Sequence, residues 1–482
     1  MSTTKFVKNS MIYIVVSILQ KAIMFFLLPL YTAFLTPEDF GVLNVVLSIS
    51  AFLSVLFLIS LNSAAMRFHY NHPDDNLKIK KLWGTLTTFV ILNSVVLGAV
   101  FIFLHRFILD PFAKDIEFYP FVFLGILYTI LSPLYLFYQN YLQTKQIGLY
   151  YGINMTLNFL LNIGLVILFV VVFKLGVLGI LLANVITALV FFIFVLIVFL
   201  PKITIGLSRT ILKPSFKYAI PLVPHSLSAW FTMMVDRILV NSLYSKSETG
   251  IYSVGYQFGN IVNIFNSAVN QAYVPWFYER EKMGPEGHRQ IVTIAELLTI
   301  VYCFLATGLS LFSQEVLSFM VTAEFRDAWK VIPLISFAWV FNGLYYFFVN
   351  ILFLNKTKLV PVVTFSSAAL SLTLNIFLIP RLGGVGAGIS CILSIFLASV
   401  ISLALSSYSN NYIRFRWEKM FLIVFFFILV SFSVYLNIPG SFLFILILKI
   451  LVFLTLFFLL FLFYKSEIVM LKSLFVKKVE SN

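Results

Sequence analysis

Apolar runs of about 20 residues recur along the chain, and residues 175–200 pass without a single Asp, Glu, Lys or Arg. At 1.5 Å per residue, a helix of that length spans the hydrocarbon layer of a bilayer, whereas a helix on a soluble protein keeps a polar face. Barrel strands are excluded, because they would alternate apolar and polar residues over segments of about 10. Of 482 residues, 61% are hydrophobic and 11% charged. A soluble domain carries about a quarter charged residues, so this chain lacks the polar surface to be covered by water. The reading is an all-α polytopic membrane protein. The two cysteines, Cys303 and Cys391, both fall in apolar runs and offer neither a disulfide framework nor a metal cluster. The first run, 9–34, is too long for a cleaved leader and reads as a retained first span.

Hydropathy places fourteen spans between residues 9 and 464. With the N-terminus inside, the cytoplasmic segments hold 23 of the 33 Lys and Arg, the outer loops 7 and the spans 3. Acidic residues show no such bias, so the asymmetry is the positive-inside pattern, with both termini cytoplasmic. The net charge of +14 is scattered over short loops and calls for no nucleic-acid partner.

A shift of 209 residues lays Val7, Lys8 and Gly41 over Phe216, Lys217 and Gly250. Shifts of similar size match Tyr128 and Tyr135 with Trp339 and Tyr346, and Leu161-Asn162-Ile163 with Leu374-Asn375-Ile376. These matches keep a common order. They divide the chain into a six-helix lobe at 1–206, a second at 207–408, and an appendage of two helices and a basic tail at 409–482. Parallel lobes of this kind suit a transporter whose site lies between repeats.

Fourteen spans in that layout, the opening Phe6-Val7-Lys8-Asn9-Ser10, the Leu35-Thr36-Pro37-Glu38-Asp39-Phe40-Gly41 turn, Arg67-Phe68-His69-Tyr70 at the end of span 2 and Asp236-Arg237 in span 7 together resemble Wzx-type polysaccharide flippases. These belong to the multidrug/oligosaccharidyl-lipid/polysaccharide (MOP) exporter superfamily. The resemblance covers nearly the whole chain, though its motifs are diffuse and none is catalytic. It implies movement of an undecaprenyl-diphosphate-linked oligosaccharide from the cytoplasmic to the outer leaflet of a bacterial inner membrane, in surface polysaccharide (O-antigen, capsule or similar) biosynthesis. The implied partners are the lipid-linked oligosaccharide, membrane lipids, and a polysaccharide polymerase with its chain-length regulator. No enzymatic activity and no cofactor are implied, although coupling to H+ or Na+ is compatible with it.

Against that background the polar residues inside spans are the candidates. Lys21 lies near the middle of span 1, where a cation costs roughly 2.5–3.5 kcal/mol on insertion scales. It either snorkels, pairs internally or, with Arg237, binds the diphosphate. Span 7 carries His225, Thr232 and Asp236 on one face, Ser226, Trp230, Arg237 and Asn241 on the next, and two prolines, Pro221 and Pro224. Span 8 carries Asn260, Asn263, Ser267 and Asn270 at i, i+3, i+7 and i+10, a stripe able to bind hydroxyl-rich ligands. Tyr128, Tyr135, Trp339 and Tyr346 offer flat apolar faces for sugar rings or simply for packing. Asp236 and Glu296 are the two carboxylates within spans, each either an ion-coupling group or a structural partner for Arg or Lys. Lys449 in span 14 reads as a snorkelling side chain, and the basic tail from Lys465 as an interfacial helix.

Other functions compete. A cation-drug antiporter of the same superfamily should place acids where its cationic substrates bind, yet span 1 offers Lys21 and no acid. A lipid II flippase would carry an Arg/Asp arrangement in the first span that is not seen here. A membrane-embedded glycosyltransferase needs acids or a His at a large outer loop, and the longest outer connections have only about 15 residues.

Overall fold

The computed structural model describes Phe25 and residues 27–71, 75–409, 413–436, 439 and 441–463. Lys21 and the tail from Lys465 lie outside them. The described residues are helical and contain no strand. Nine of their helices are long and apolar enough to cross a membrane, and others are apolar but shorter or polar. This is the polytopic all-α class expected.

The chain packs as two compact units. The first contains α1 (Leu28–Phe34), α2 (Pro37–Leu58), α3 (Leu61–His69), α4 (Asn76–Phe103), α5 (Phe123–Thr144), α6 (Gly148–Val166), α7 (Gly176–Phe199), α8 (Arg209–Ala219), α9 (Val223–Leu243), the start of α10 (Lys246–Gly259), and residues 320–325 and 373–387. The second contains the end of α10, then α11 (Ile261–Glu281), α12 (Pro285–Leu311), α13 (Ser313–Met320), α14 (Ile332–Asn355), both arms of α15 (Val360–Ser409), α16 (Trp417–Phe432) and α17 (Phe442–Phe463). This is a division by packing, whereas the lobes expected at 1–206 and 207–408 follow the sequence matches alone.

Local chemistry explains where these helices start and turn. Thr36 caps α2: its hydroxyl accepts the Asp39 N–H at 3.1 Å while the Asp39 carboxylate accepts the Thr36 N–H at 3.1 Å, with Pro37 in the first turn. The Leu35–Gly41 motif is thus a capping box, which uses two orphan donors of the helix end. The long span expected over 214–242 is two helices, α8 and α9, joined by a 3-10 turn at Ile220–Leu222. Pro221 and Pro224 sit in opening turns, where a missing N–H costs nothing, and so mark a joint between helices. α15 is a hairpin. The Ser367 hydroxyl donates to the Ser394 carbonyl at 2.7 Å, although a straight helix would hold these residues about 40 Å apart. The bend is at Gly383, whose φ of 58° suits a residue without Cβ, and it separates the two spans expected there.

The core of the first unit centres on Trp83, fully buried and edge-on to Phe137, Tyr141 and Phe199. The Arg67–Tyr70 motif clamps α3 to this core. The Trp83 indole donates to His69 Nδ1 at 3.0 Å, Tyr70 donates to the Thr144 carbonyl at 2.8 Å, and the Arg67 guanidinium lies 4.5 Å from the Tyr218 ring centre. Such contacts replace the hydrophobic drive that lipid cannot supply between helices.

Candidate functional site

The two polar faces of α9 have different uses. On one, Trp230 donates to the Ser48 carbonyl at 2.9 Å, Asn241 donates to the Lys114 carbonyl at 2.9 Å, and Ser226 meets the Ser60 hydroxyl at 3.3 Å. Those side chains fasten α9 to its neighbours. Arg237, on the same face, is 6% exposed and donates to the Met233 carbonyl one turn back. On the other face, Asp236 is 2% exposed and accepts from the Tyr252 hydroxyl at 2.9 Å and the Asn375 amide at 2.8 Å. Its partners come from α10 and from the first arm of α15, and His225 on the same face is exposed. The carboxylate is therefore held by two neutral donors, and the charge of its chain neighbour Arg237 also acts on it.

Glu296 is held differently. On α12, 2% exposed, it faces Arg416 Nη1 at 3.3 Å and Lys419 Nζ at 3.1 Å, both brought by the start of α16. Two cations on one buried carboxylate make a structural tie, in which either cation alone still neutralises Glu296. Lys449 does not snorkel but pairs with Glu315 at 2.7 Å, each 11% exposed.

In the second unit the amide stripe forms a ladder. Asn263 donates to Asn260 Oδ1 at 2.9 Å, Ser267 donates to Asn263 Oδ1 at 3.4 Å, and Asn266 donates to the Trp339 carbonyl on α14. Tyr346 approaches Ser267 from α14. Trp339 itself is buried, with its ring 6.4 Å from Tyr256. Asn260, Ser267 and Asn270 are partly open, and Gln271 is exposed. In the first unit Tyr128 is half-buried, and Tyr135 packs edge-on to Phe191 at 5.1 Å. Sequence reasoning missed Tyr252 as a partner of Asp236 and Arg416 and Lys419 as partners of Glu296. Asn375 had a signal, since it was matched by the repeat with Asn162, which itself donates to Asn184 at 2.9 Å.

The reciprocity of one contact bears on the repeat. A Cβ added to Gly41 would lie 1.9 Å from the Lys246 carbonyl oxygen, and a Cβ added to Gly250 would lie 1.9 Å from the Pro37 carbonyl oxygen. Gly250 and Lys246 lie 209 residues beyond Gly41 and Pro37, so the starts of α2 and α10 meet through equivalent residues, as across a twofold axis. Lys246 also pairs with Glu38 at 2.7 Å.

With these features in place, comparison with known proteins is informative. Residues 6–281, more than half of the chain, match the family model described as polysaccharide biosynthesis protein. The chain belongs to that family. A relative from Haloferax volcanii, named "Probable low-salt glycan biosynthesis flippase Agl15", is 24% identical over 224 residues, which are 44% of this chain and 46% of the relative. The chain thus spans about half the length of that curated relative. In fold, it is similar to the lipid II flippase MurJ in an inward closed conformation, with a TM-score of 0.73 at 14% identity over 94% of this chain and 100% of MurJ. It is also similar to an inward-facing multidrug resistance MATE family transporter of the MOP superfamily, with a TM-score of 0.57 at 16% identity over 80% of this chain and 93% of the other. A member of this family with this fold is a multi-pass membrane protein.

Proposed function

We propose that the chain carries an undecaprenyl-diphosphate-linked oligosaccharide from the cytoplasmic to the outer leaflet of a bacterial inner membrane, with both termini cytoplasmic. The observation that carries this reading is the ladder on α11. From Asn260 to Gln271 it runs about 16 Å along the helix, and open amides in a membrane-embedded fold are costly against lipid, so a hydrated surface accounts for them. Sugar hydroxyls are the ligands such a wall satisfies, whereas a drug exporter's cations would call for acids. Arg237 and Lys21 supply positive charge for the diphosphate, and the polyprenyl tail stays in the bilayer. The lobes at 1–206 and 207–408 alternate access, a reading supported by the reciprocal Gly41 and Gly250 contact. Coupling to H+ or Na+, where it operates, is assigned to Asp236 ahead of Glu296, because Glu296 is already neutralised by two cations.

The test is deletion in the host with analysis of lipid-linked intermediates, followed by complementation with Asn260→Leu/Asn270→Leu. The wild type should restore outer-leaflet glycan, and the double variant should trap the full lipid-linked oligosaccharide inside at normal membrane abundance. Full glycan display by the double variant would remove the ladder from the mechanism, and a deletion strain with unchanged intermediates would overturn the function.

A further inference from the structure

A cavity of about 350 Å³ opens between the start of α4 and the start of α8, and Asp236 is not among its lining residues. Its floor is apolar, with Phe68, Leu82 and Ile211, and its mouth carries Lys78, Lys81 and Thr210. Asp75 holds Lys78 at 3.1 Å and, by capping α4, fixes where that helix begins. Among the described residues no acid pairs with Lys81. Lys80 and Arg209, each between two lining residues in the chain, are exposed. Beside these cations stand large apolar side chains that packing leaves uncovered: Leu77 is 62% exposed, Ile205 61% and Leu207 56%. Cations next to outward apolar side chains, at the point where α4 turns from charged to apolar, define headgroup depth in a membrane.

We infer that this cavity binds the phosphate of an anionic lipid in the surrounding leaflet. The lysines and the Thr210 hydroxyl match phosphate oxygens, the floor accepts the first carbons below the headgroup, and the volume falls within the range of small-ligand sites. A phosphate there bridges α4 to α8 and so steadies the helix that leads through the Ile220–Leu222 joint into α9. The inference rests on the membrane-spanning fold and not on the transported substrate. Two kinds of lipid offer this chemistry, a membrane phospholipid and a polyprenyl diphosphate.

The experiment uses the full chain, purified in detergent and partly delipidated, with bound lipid counted by native mass spectrometry. Phosphatidylglycerol should be retained over phosphatidylcholine. Lys78→Gln/Lys81→Gln should lower that preference on the order of tenfold, because each lysine near a lipid phosphate adds substantially to affinity. Lys213→Gln/Lys217→Gln removes the same charge outside the cavity and should keep the preference, with melting midpoints in phosphatidylcholine matching the wild type for both. Displacement of phosphatidylglycerol by millimolar pyrophosphate would support the site and assign it to a diphosphate-bearing lipid. Resistance to pyrophosphate would support it with phospholipid as the occupant. An unchanged preference in Lys78→Gln/Lys81→Gln, or an equal loss in Lys213→Gln/Lys217→Gln, would overturn it in favour of diffuse surface charge.

Discussion

His69 shows how one side chain ties structure to pH. Its Nδ1 accepts the Trp83 indole N–H, which requires that nitrogen to be unprotonated. Burial, and then the Lys145 charge, hold its pKa below the ordinary imidazole value. The unfolded chain therefore takes up a proton near pH 6.5 that the folded chain refuses, so stability falls as the pH drops through and below that value. Thermal unfolding in detergent should show an acid-side loss that is smaller in His69→Gln, and a loss of equal size would assign the sensitivity elsewhere. Trp83→Phe leaves the ring nitrogen unpaired and should cost about 1–3 kcal/mol at neutral pH. Asp236 invites a second comparison. Asp236→Asn keeps one acceptor oxygen for the Asn375 amide and turns the other position into an N–H that the Tyr252 hydroxyl oxygen can accept, while Asp236→Leu removes both, so the leucine variant should be the less stable by about 1–3 kcal/mol. Asp236→Asn should fold and change the pH or sodium dependence of transport. Wild-type ion dependence in that variant would leave Asp236 a structural residue.

Between elements, backbone proximity decides more than side-chain chemistry does. Gly41→Ala or Gly250→Ala must push a carbonyl oxygen away from the facing helix, an overpacking cost of about 1–3 kcal/mol. Gly164, in the last turn of α6 where the helix runs on into a π-helix at Ile167–Val172, has nothing within 4 Å of an added Cβ. Gly164→Ala should therefore stabilise by up to about 1 kcal/mol through helix propensity alone. Folded yield and melting temperature of the three variants check this, and equal behaviour of all three would refute the close approach of α2 and α10. The apolar elements were legible from hydropathy because a span is a local property of about 20 residues. The joint between α8 and α9 was half legible: Pro221 and Pro224 announced a bend, but only the structure placed them in the opening turns of separate helices. The Leu35–Gly41 motif was visible as a string, and its capping box and its contact with Lys246 were not.

At the scale of the whole molecule, the charge asymmetry makes a prediction that needs no side-chain geometry. Cysteines placed at Lys80 or Gly284 should be protected from an impermeant reagent added to intact cells and become reactive after permeabilisation. Labelling from outside would overturn the proposed orientation. The native Cys303 and Cys391, 0% and 3% exposed, should add little background. By itself the sequence determined the membrane class, most of the long apolar helices and the short catalogue of polar residues between their apolar neighbours, since each depends on residue type and spacing along the chain. Tertiary structure alone decided what those polar residues touch. Asp236 meets donors 16 and 139 residues away, and Glu296 meets cations 120 and 123 residues away. Contacts near 3 Å between such distant positions depend on how helices cross and rotate against one another, and hydropathy carries no record of either because lipid rewards every apolar face alike.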